Sequence, residues 1–362
     1  MILCSNKLGV VPGGKMRNFF EDNYKNIGLK RKLINLVSEI SEYKGRLAAY
    51  QEQKPDIFIN LEKNIPLHYI KNFTTAYKDI KVPNKRLKEL ILDDIVPQNI
   101  EEDAVFCYFK TLSLVHKRSC TLSISPETIQ ELHFQLIHYS TSDSAKWRKK
   151  PFYIPGIPES GMYTSSYRPF PHEFILEAME QLCNQYNSAN NKKELHSLLL
   201  IARFILNFYC IIPFSQGNGR LALMLMQLLL VKNGHTFVKY VCLDKYIKKN
   251  ESEYYDSIYK SSVNWYCGEH NISFWIKMFL NIILEAYQDL HSTIRDSICN
   301  NTKVERIQNF ILKQKLPFTK ECIRSIHPDI AESTISKTLS SLQLFGYIKL
   351  ISKGRNAQWM KV

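Results

Sequence analysis

Ile212-Pro213-Phe214-Ser215-Gln216-Gly217-Asn218-Gly219-Arg220 joins two apolar, helix-like segments. Its two halves point in different directions. In the second half, Gly217 and Gly219 let the backbone turn tightly and approach a ligand, and their N–H groups can converge on an anion. The segment that follows, Leu221 to Val231, is rich in strong helix formers. A helix starting there aims its unpaired N–H groups and positive dipole end at the same point, and Arg220 adds a forked cation suited to phosphate oxygens. Gly217, Asn218, Gly219 and Arg220 are therefore the candidate phosphate or nucleotide ligands. The plainer alternative is a glycine-closed loop with Asn218 as the helix N-cap. The first half offers no proton acceptor and no carboxylate. The apolar run from Leu221 to Leu230, interrupted by Gln227, is too short to span a bilayer. It reads as a helix buried on all sides, the centre of a mainly α bundle.

Helical spacing extends outward from this centre. Leu33, Leu36, Val37, Ile40 and Leu47 place a helix over 30–51, 100–136 holds one or two more, and Phe174, Ile175, Met179 and Leu182 mark another over 174–186. Asn187 to Lys193 reads as a polar loop. Lys146-Trp147-Arg148-Lys149-Lys150 reads as a solvated basic run leading into a hairpin. Gly9 to Lys15 formally fits G-x-x-x-x-G-K but lacks the following Ser or Thr, so it is set aside as a nucleotide loop. The ten histidines show no H-x-x-x-H spacing, and no metal site is expected. His196 reads as a packed or capping residue rather than a base.

The loop and its surroundings resemble the Fic family, whose signature is H-P-F-x-[D/E]-G-N-G-R-x-x-R and whose members mostly transfer AMP from ATP to a hydroxyl of a target protein. Trp147-Arg148 through Arg168-Pro169-Phe170-Pro171 is similar to the family's flap hairpin. Leu243-Asp244-Lys245-Tyr246-Ile247, Tyr254-Tyr255-Asp256 and Phe274-Trp275-Ile276 are similar to the helices that close its core. The likeness covers roughly residues 30 to 290. It implies a Fic-type helical core with a β-hairpin flap, ATP or another nucleotide as ligand, and a target protein docking on the flap near 152–163 as an added strand. Three positions depart from the pattern. Ile212 stands where the family has its general-base histidine, and loss of a general base typically costs about 10²–10⁴-fold in rate. Gln216 stands where the family has the carboxylate that holds Mg²⁺, which puts that ion in doubt. Leu223 stands where the family has its second arginine. The family's inhibitory helix, [S/T]-x-x-x-E-[G/N], aligns best with Thr74 and Lys78, the lysine replacing the glutamate. With Leu223 in place of arginine, both partners of that ion pair are gone together.

The C-terminal 62 residues form a separate pattern. Residues 301–362 hold eleven Lys and Arg against four Asp and Glu, so a sixth of the chain carries half of its net charge of +14. Such clustering is the electrostatic footprint of nucleic-acid binding. Val304, Ile307, Phe310, Ile311 and Leu316 give a first helical stripe. Thr319 caps a second helix, and Ile335, Leu339 and Leu342 lie on the buried side of a third that Gly346 ends. Tyr347 to Met360 reads as a hairpin. This order resembles a winged helix-turn-helix, an α+β unit with Ser333, Thr334, Ser336 and Lys337 turned to DNA and Lys353 and Arg355 at the wing tip. The alternative is a small protein-binding unit with a solvated basic face.

The expected organisation is a helical N-terminal segment with a degenerate inhibitory helix over 1–95, a Fic-type core over 96–290, a linker over 291–302 and the winged unit over 303–362. Nine scattered cysteines without a C-x-x-C pair point to reduced thiols in a cytoplasmic protein. The first residues lack the pattern of a signal peptide. The expected partners are DNA, a target protein and a second copy of the chain in a homodimer, with no membrane. Three functions compete: an impaired, pseudo-enzyme regulator that binds phosphate and DNA, a transferase of altered chemistry or donor, and a structural interaction module.

Overall fold

The computed structural model describes residues 10–11, 15–16, 31–76, 82–137, 145–150, 170–193, 195–265, 268–299, 303–314, 316–352, 354 and 357–362. Among these, fourteen α-helices and two short antiparallel ribbons make a mainly helical protein. The chain divides into two compact units, Met1–His291 and Ser292–Val362.

In the first unit a small ribbon pairs β1 (Val10–Val11) with β2 (Lys15–Met16). Helices follow: α1 (Arg31–Gln53), α2 (Pro55–Ala76), α3 (Asn84–Leu92), α4 (Ile100–Arg118), α5 (Pro126–Ile137), α6 (Ile175–Lys192), α7 (Ser197–Ile211), α8 (Asn218–Lys232), α9 (Leu243–Lys249), α10 (Glu251–Ser262) and α11 (Ser273–Cys299). The centre is the pair α7 and α8. Every residue from Leu198 to Phe208 and from Leu221 to Leu230 is buried, as the all-round apolar sequence demands. α6 and α10 pack on α7, and α4 and α5 on α8. Each fully buried Leu or Phe stabilises the unit by about 1.5–3 kcal/mol. Polar groups inside this core find partners: Trp275 Nε1 donates to Ala202 O at 2.7 Å and Trp265 Nε1 to Asn207 Oδ1 at 2.7 Å. α4 shows both end signals, with Asn99 accepting from Glu102 N, acids in the first turn and His116, Lys117 and Arg118 in the last.

One reading of the sequence needs correction here. Asn187 to Lys192 is not a loop but the last turns of α6. Asn187 Nδ2 donates to Ile124 O at 2.9 Å and Ala189 is buried, so tertiary contact overrides the weak helix preference of asparagine. The helix stops at Lys193, which takes a left-handed conformation with φ 54°. α11 runs on past the division between the units as far as Cys299, within the stretch read as a linker.

The second unit contains α12 (Lys303–Lys313), α13 (Lys320–Ile326), α14 (Glu332–Leu344), β3 (Ile348–Ser352) and β4 (Gln358–Lys361). Its own core joins Ile307, Phe310, Ile311, Phe318, Ile323, Ile330, Ile335, Leu339, Leu342, Ile348 and Trp359. Thr319 caps α13 by accepting from Cys322 N, and Gly346 turns the chain out of α14 with φ 75°. Val304 and Leu316, assigned to the first stripe, are exposed. Arg306 grips Asp329 through both terminal nitrogens at 2.7 Å and so ties α12 to the turn before α14. No described helix is long and apolar enough to cross a membrane.

Candidate functional site

The site is built on the six residues between α7 and α8. α7 ends at Ile212, which closes the helix by donating its N–H to Phe208 O at 3.0 Å in a left-handed conformation, φ 46° and ψ 71°. A β-branched residue is a conformational outlier there, at a cost on the order of 1–3 kcal/mol. The turn is therefore imposed by its surroundings, not by the residue that makes it.

Four side chains impose it. Arg148 is buried, donates Nε to Ile212 O at 2.7 Å and Nη2 to Ile211 O at 3.3 Å, and also bonds Phe170 O and Lys150 O. It thus caps the carbonyl end of α7 with a full positive charge. Its own N–H donates to Pro213 O at 2.9 Å. Phe214 is fully buried, stacked on the His133 ring at 3.6 Å and tilted against Trp147 at 4.8 Å. Asn218 straps the loop to itself, Oδ1 accepting from Phe214 N at 3.1 Å and Nδ2 donating to Phe214 O at 2.8 Å. His133 Nδ1 accepts from Ala145 N at 3.0 Å, which leaves Nε2 to donate to Gln216 O at 3.0 Å. Burial, with a smaller effect from Arg220, pulls the His133 pKa down to about 4. The ring is neutral and both nitrogens are engaged, so it positions the loop and is not poised as a base.

Gly217 forms the N-cap of α8 with φ 77°. A Cβ there would lie 3.2 Å from Ile137 Cγ2 and 3.5 Å from His133 Nε2. Asn218 is the first helical residue, not the cap, and its amide serves the loop, so only its backbone N–H remains for an anion. A Cβ on Gly219 would meet nothing within 4 Å.

A cleft of about 310 Å³ opens beside this turn, lined by Gly217, Gly219, Arg220 and Leu223 on one side. Tyr209, Asp244, Ile247, Lys248, Glu251, Tyr254 and Tyr255 line the other. Leu223 gives an apolar wall. Ile212 and Gln216 do not line the cleft; Ile212 is 6% exposed and turned into the protein. The carboxylates present are committed. Both oxygens of buried Asp244 lie 2.8 Å from Tyr108 Oη, and Glu251 pairs with Lys248 at 2.6 Å. Among the described residues no group of three or more His, Cys, Asp or Glu is placed to hold a metal ion.

The structure brings Gly217, Gly219, Arg220 and Leu223 together. Thr74 falls in α2, its side chain outside the described residues, as are Lys78, the flap segment 152–163, Lys353 and Arg355. On α14, Ser333 and Lys337 are exposed and Thr334 half-buried, while half-buried Ser336 accepts from Lys320 Nζ at 2.8 Å. His196 caps α7 at the end remote from the loop. Buried His235 meets Tyr287 Oη at 3.0 Å. Sequence reasoning missed His133 and took Arg148 for part of a solvated run. It quoted Asp244 and Tyr254 without giving them a role. The only signal for Arg148 was its place beside Trp147 just before the hairpin.

Residues 123–230 match the model of the Fic/DOC family. That segment contains α5, α6, α7, the loop and most of α8. A comparison with curated proteins found no match. Among solved structures, a Fic family protein from Desulfovibrio desulfuricans G20 superposes with a TM-score of 0.59 at 15% identity, over 92% of this chain and 96% of that one. A Fic domain containing signaling protein from Bacteroides thetaiotaomicron VPI-5482 gives 0.54 at 14% identity, over 69% and 95%. Fic-1 (residues 134–508) from C. elegans gives 0.53 at 13% identity, over 74% of each chain. At these identities the likeness is one of fold.

Proposed function

We propose that this chain, which carries a Fic/DOC family domain, is a catalytically impaired member that retains a phosphate-binding loop and acts as a regulator through a DNA-binding C-terminal unit. The carrying observation is the state of Ile212. The position from which a proton would be taken holds a buried aliphatic side chain that does not face the cleft, while the turn around it is kept by Arg148, His133 and Asn218. The loop offers an anion the first turn of a 15-residue helix and the guanidinium of Arg220. ATP or a related nucleotide is the proposed ligand of Gly217, Gly219 and Arg220.

The second unit supports the DNA reading by charge and shape. Three helices and a ribbon present an exposed α14 carrying Ser333 and Lys337, and the unit's own acids leave its lysines in excess. We assign it as a winged helix-turn-helix, with α14 for the major groove. A transferase of altered chemistry would need a base in the cleft, and Asp244 and Glu251 are the carboxylates at hand. Tyr108 Oη, 2.8 Å from both Asp244 oxygens, already donates to that carboxylate, and Glu251 is paired with Lys248.

Restoring Ile212→His, Gln216→Asp and Leu223→Arg together is expected to yield self-labelling from labelled ATP with Mg²⁺, while the parent gives none. Labelling by the parent that an Arg220→Ala variant loses would overturn the impairment. Titration of the full chain with ATP and with a random DNA library tests the rest, and binding to neither would end the regulator reading.

A further inference from the structure

A cavity of about 420 Å³, larger than the cleft at the loop, opens among α2, α3 and α4. Its size falls in the range of small-molecule sites. Tyr69, Phe106 and Phe109 supply aromatic wall, with Tyr69 and Phe109 meeting edge to face at 5.5 Å. Charge on the wall is uneven. Lys110 is neutralised by Asp94 at 2.6 Å, whereas Lys117 and Lys239 have no acidic partner within ion-pair distance among the described residues. Set against Glu62 and Asp94, the three lysines leave the wall net positive.

Two polar groups of the wall reach the centre of the fold at Gln227: Tyr69, whose Oη lies 3.5 Å from Gln227 Oε1, and His116. His116, part of the wall, lies with Nε2 2.9 Å from Gln227 Oε1. Burial keeps the ring neutral, its pKa drawn down to about 4. With Nε2–H directed at Gln227, the Nδ1 atom is an acceptor. Gln227 itself is wholly buried, and its Nε2 has no hydrogen-bond partner among the described residues. It lies on α8, the helix whose first turn forms the phosphate loop.

We propose that this cavity is an effector site for a small molecule with a flat apolar body and one anionic group, an aromatic carboxylate being the simplest. The aromatic walls take the flat body, and Lys117 and Lys239 take the anion as point charges. An occupant touching His116 bears on the His116–Gln227 contact and hence on α8. Binding at the cavity is independent of the regulator reading; only its consequence for the loop rests on it.

The probe is 8-anilinonaphthalene-1-sulfonate, followed by fluorescence on the full chain, with uncharged N-phenyl-1-naphthylamine beside it. One saturable site is expected. Ser113→Phe, which fills the cavity, is expected to weaken both probes more than about tenfold with an unchanged melting temperature. Lys117→Gln with Lys239→Gln is expected to weaken the sulfonate about tenfold, some 1.4 kcal/mol, and the neutral probe less than about twofold. Arg220→Ala, which tests the loop, is expected to leave both unchanged. Sulfonate binding that survives Ser113→Phe, or that does not respond to the lysine pair, overturns the proposal. Loss of nucleotide or DNA binding without change in either probe counts only against the regulator reading.

Discussion

Gly217 and Gly219 stand two residues apart and do different work. Gly217 holds φ 77° with Ile137 Cγ2 3.2 Å from where a Cβ would sit, so the fold requires it. Gly219 lies in the helix with open space around it, so the fold would gain from a side chain there. Gly217→Ala is expected to destabilise by about 1–3 kcal/mol from left-handed strain and crowding. Gly219→Ala is expected to leave the urea midpoint unchanged or raise it, by up to about 1 kcal/mol, while weakening ATP, because its methyl group occupies the surface a phosphate would approach. Equal ATP affinity in Gly219→Ala and the parent would show that the second glycine has no ligand role. At this scale the sequence was legible where chemistry is carried by residue type. Gly217, Gly219, Arg220 and the absent groups at Ile212, Gln216 and Leu223 could be read directly. His133 and Arg148 could not, because nothing local marks a side chain whose loop partners lie 83 and 64 residues away, respectively.

The loop behaves as one element because its bonds come from α5, α8 and the segment 145–150. Arg148 contributes most. Arg148→Met leaves the carbonyls of Ile211, Ile212 and Phe170 buried without their donor, at about 1–3 kcal/mol each, so a loss of roughly 3 kcal/mol or more is expected. Arg148→Lys recovers little, since one ammonium cannot reproduce the planar fork. Thermal unfolding at matched pH checks both, and a lysine variant as stable as the parent would count against the geometry. Three histidines, His133 and His235 buried and His116 half-buried, contribute to the pH response of the first unit. Burial lowers His133 and His116 to about 4 and His235 to about 3, below the ordinary value of 6.5. The unfolded chain then binds more protons than the folded one between pH 6.5 and 4. Their contribution to stability is complete above pH 6.5 and falls as the pH drops through that window. A urea midpoint that stays flat from pH 7 to 4.5 would contradict it. α1 and α14 were legible from their periodicity, and α8 from an unbroken run of apolar helix formers. The last turns of α6 were not, since Asn187, Ser188, Asn190 and Asn191 favour loops until Asn187 meets Ile124 across the fold.

For the whole molecule, the decisive quantity is where charge is spent. The chain carries +14, half of it in residues 301–362. Arg306 and Arg324 are paired with Asp329 and Glu332, at 2.7 and 3.9 Å. The excess is therefore carried by the lysines and Arg355, among them Lys337 on the exposed side of α14 and Lys320, whose Nζ holds Ser336. Lysines that neutralise phosphates release counterions, so affinity for DNA should fall with salt at a slope of about −0.9 per phosphate contacted. With about four contacts, the full chain on random-sequence duplex is expected to lose roughly 100-fold or more between 50 and 200 mM salt. Lys337→Gln is expected to weaken all duplexes alike and to reduce the slope by about one, the mark of a phosphate contact. Ser333→Ala should instead change the preference among sequences and leave the slope alone, because an uncharged hydroxyl releases no counterion. A slope near zero, or a Lys337→Gln variant with the parent's slope, would remove the electrostatic ground for placing α14 against DNA and leave the second unit as a protein-binding module.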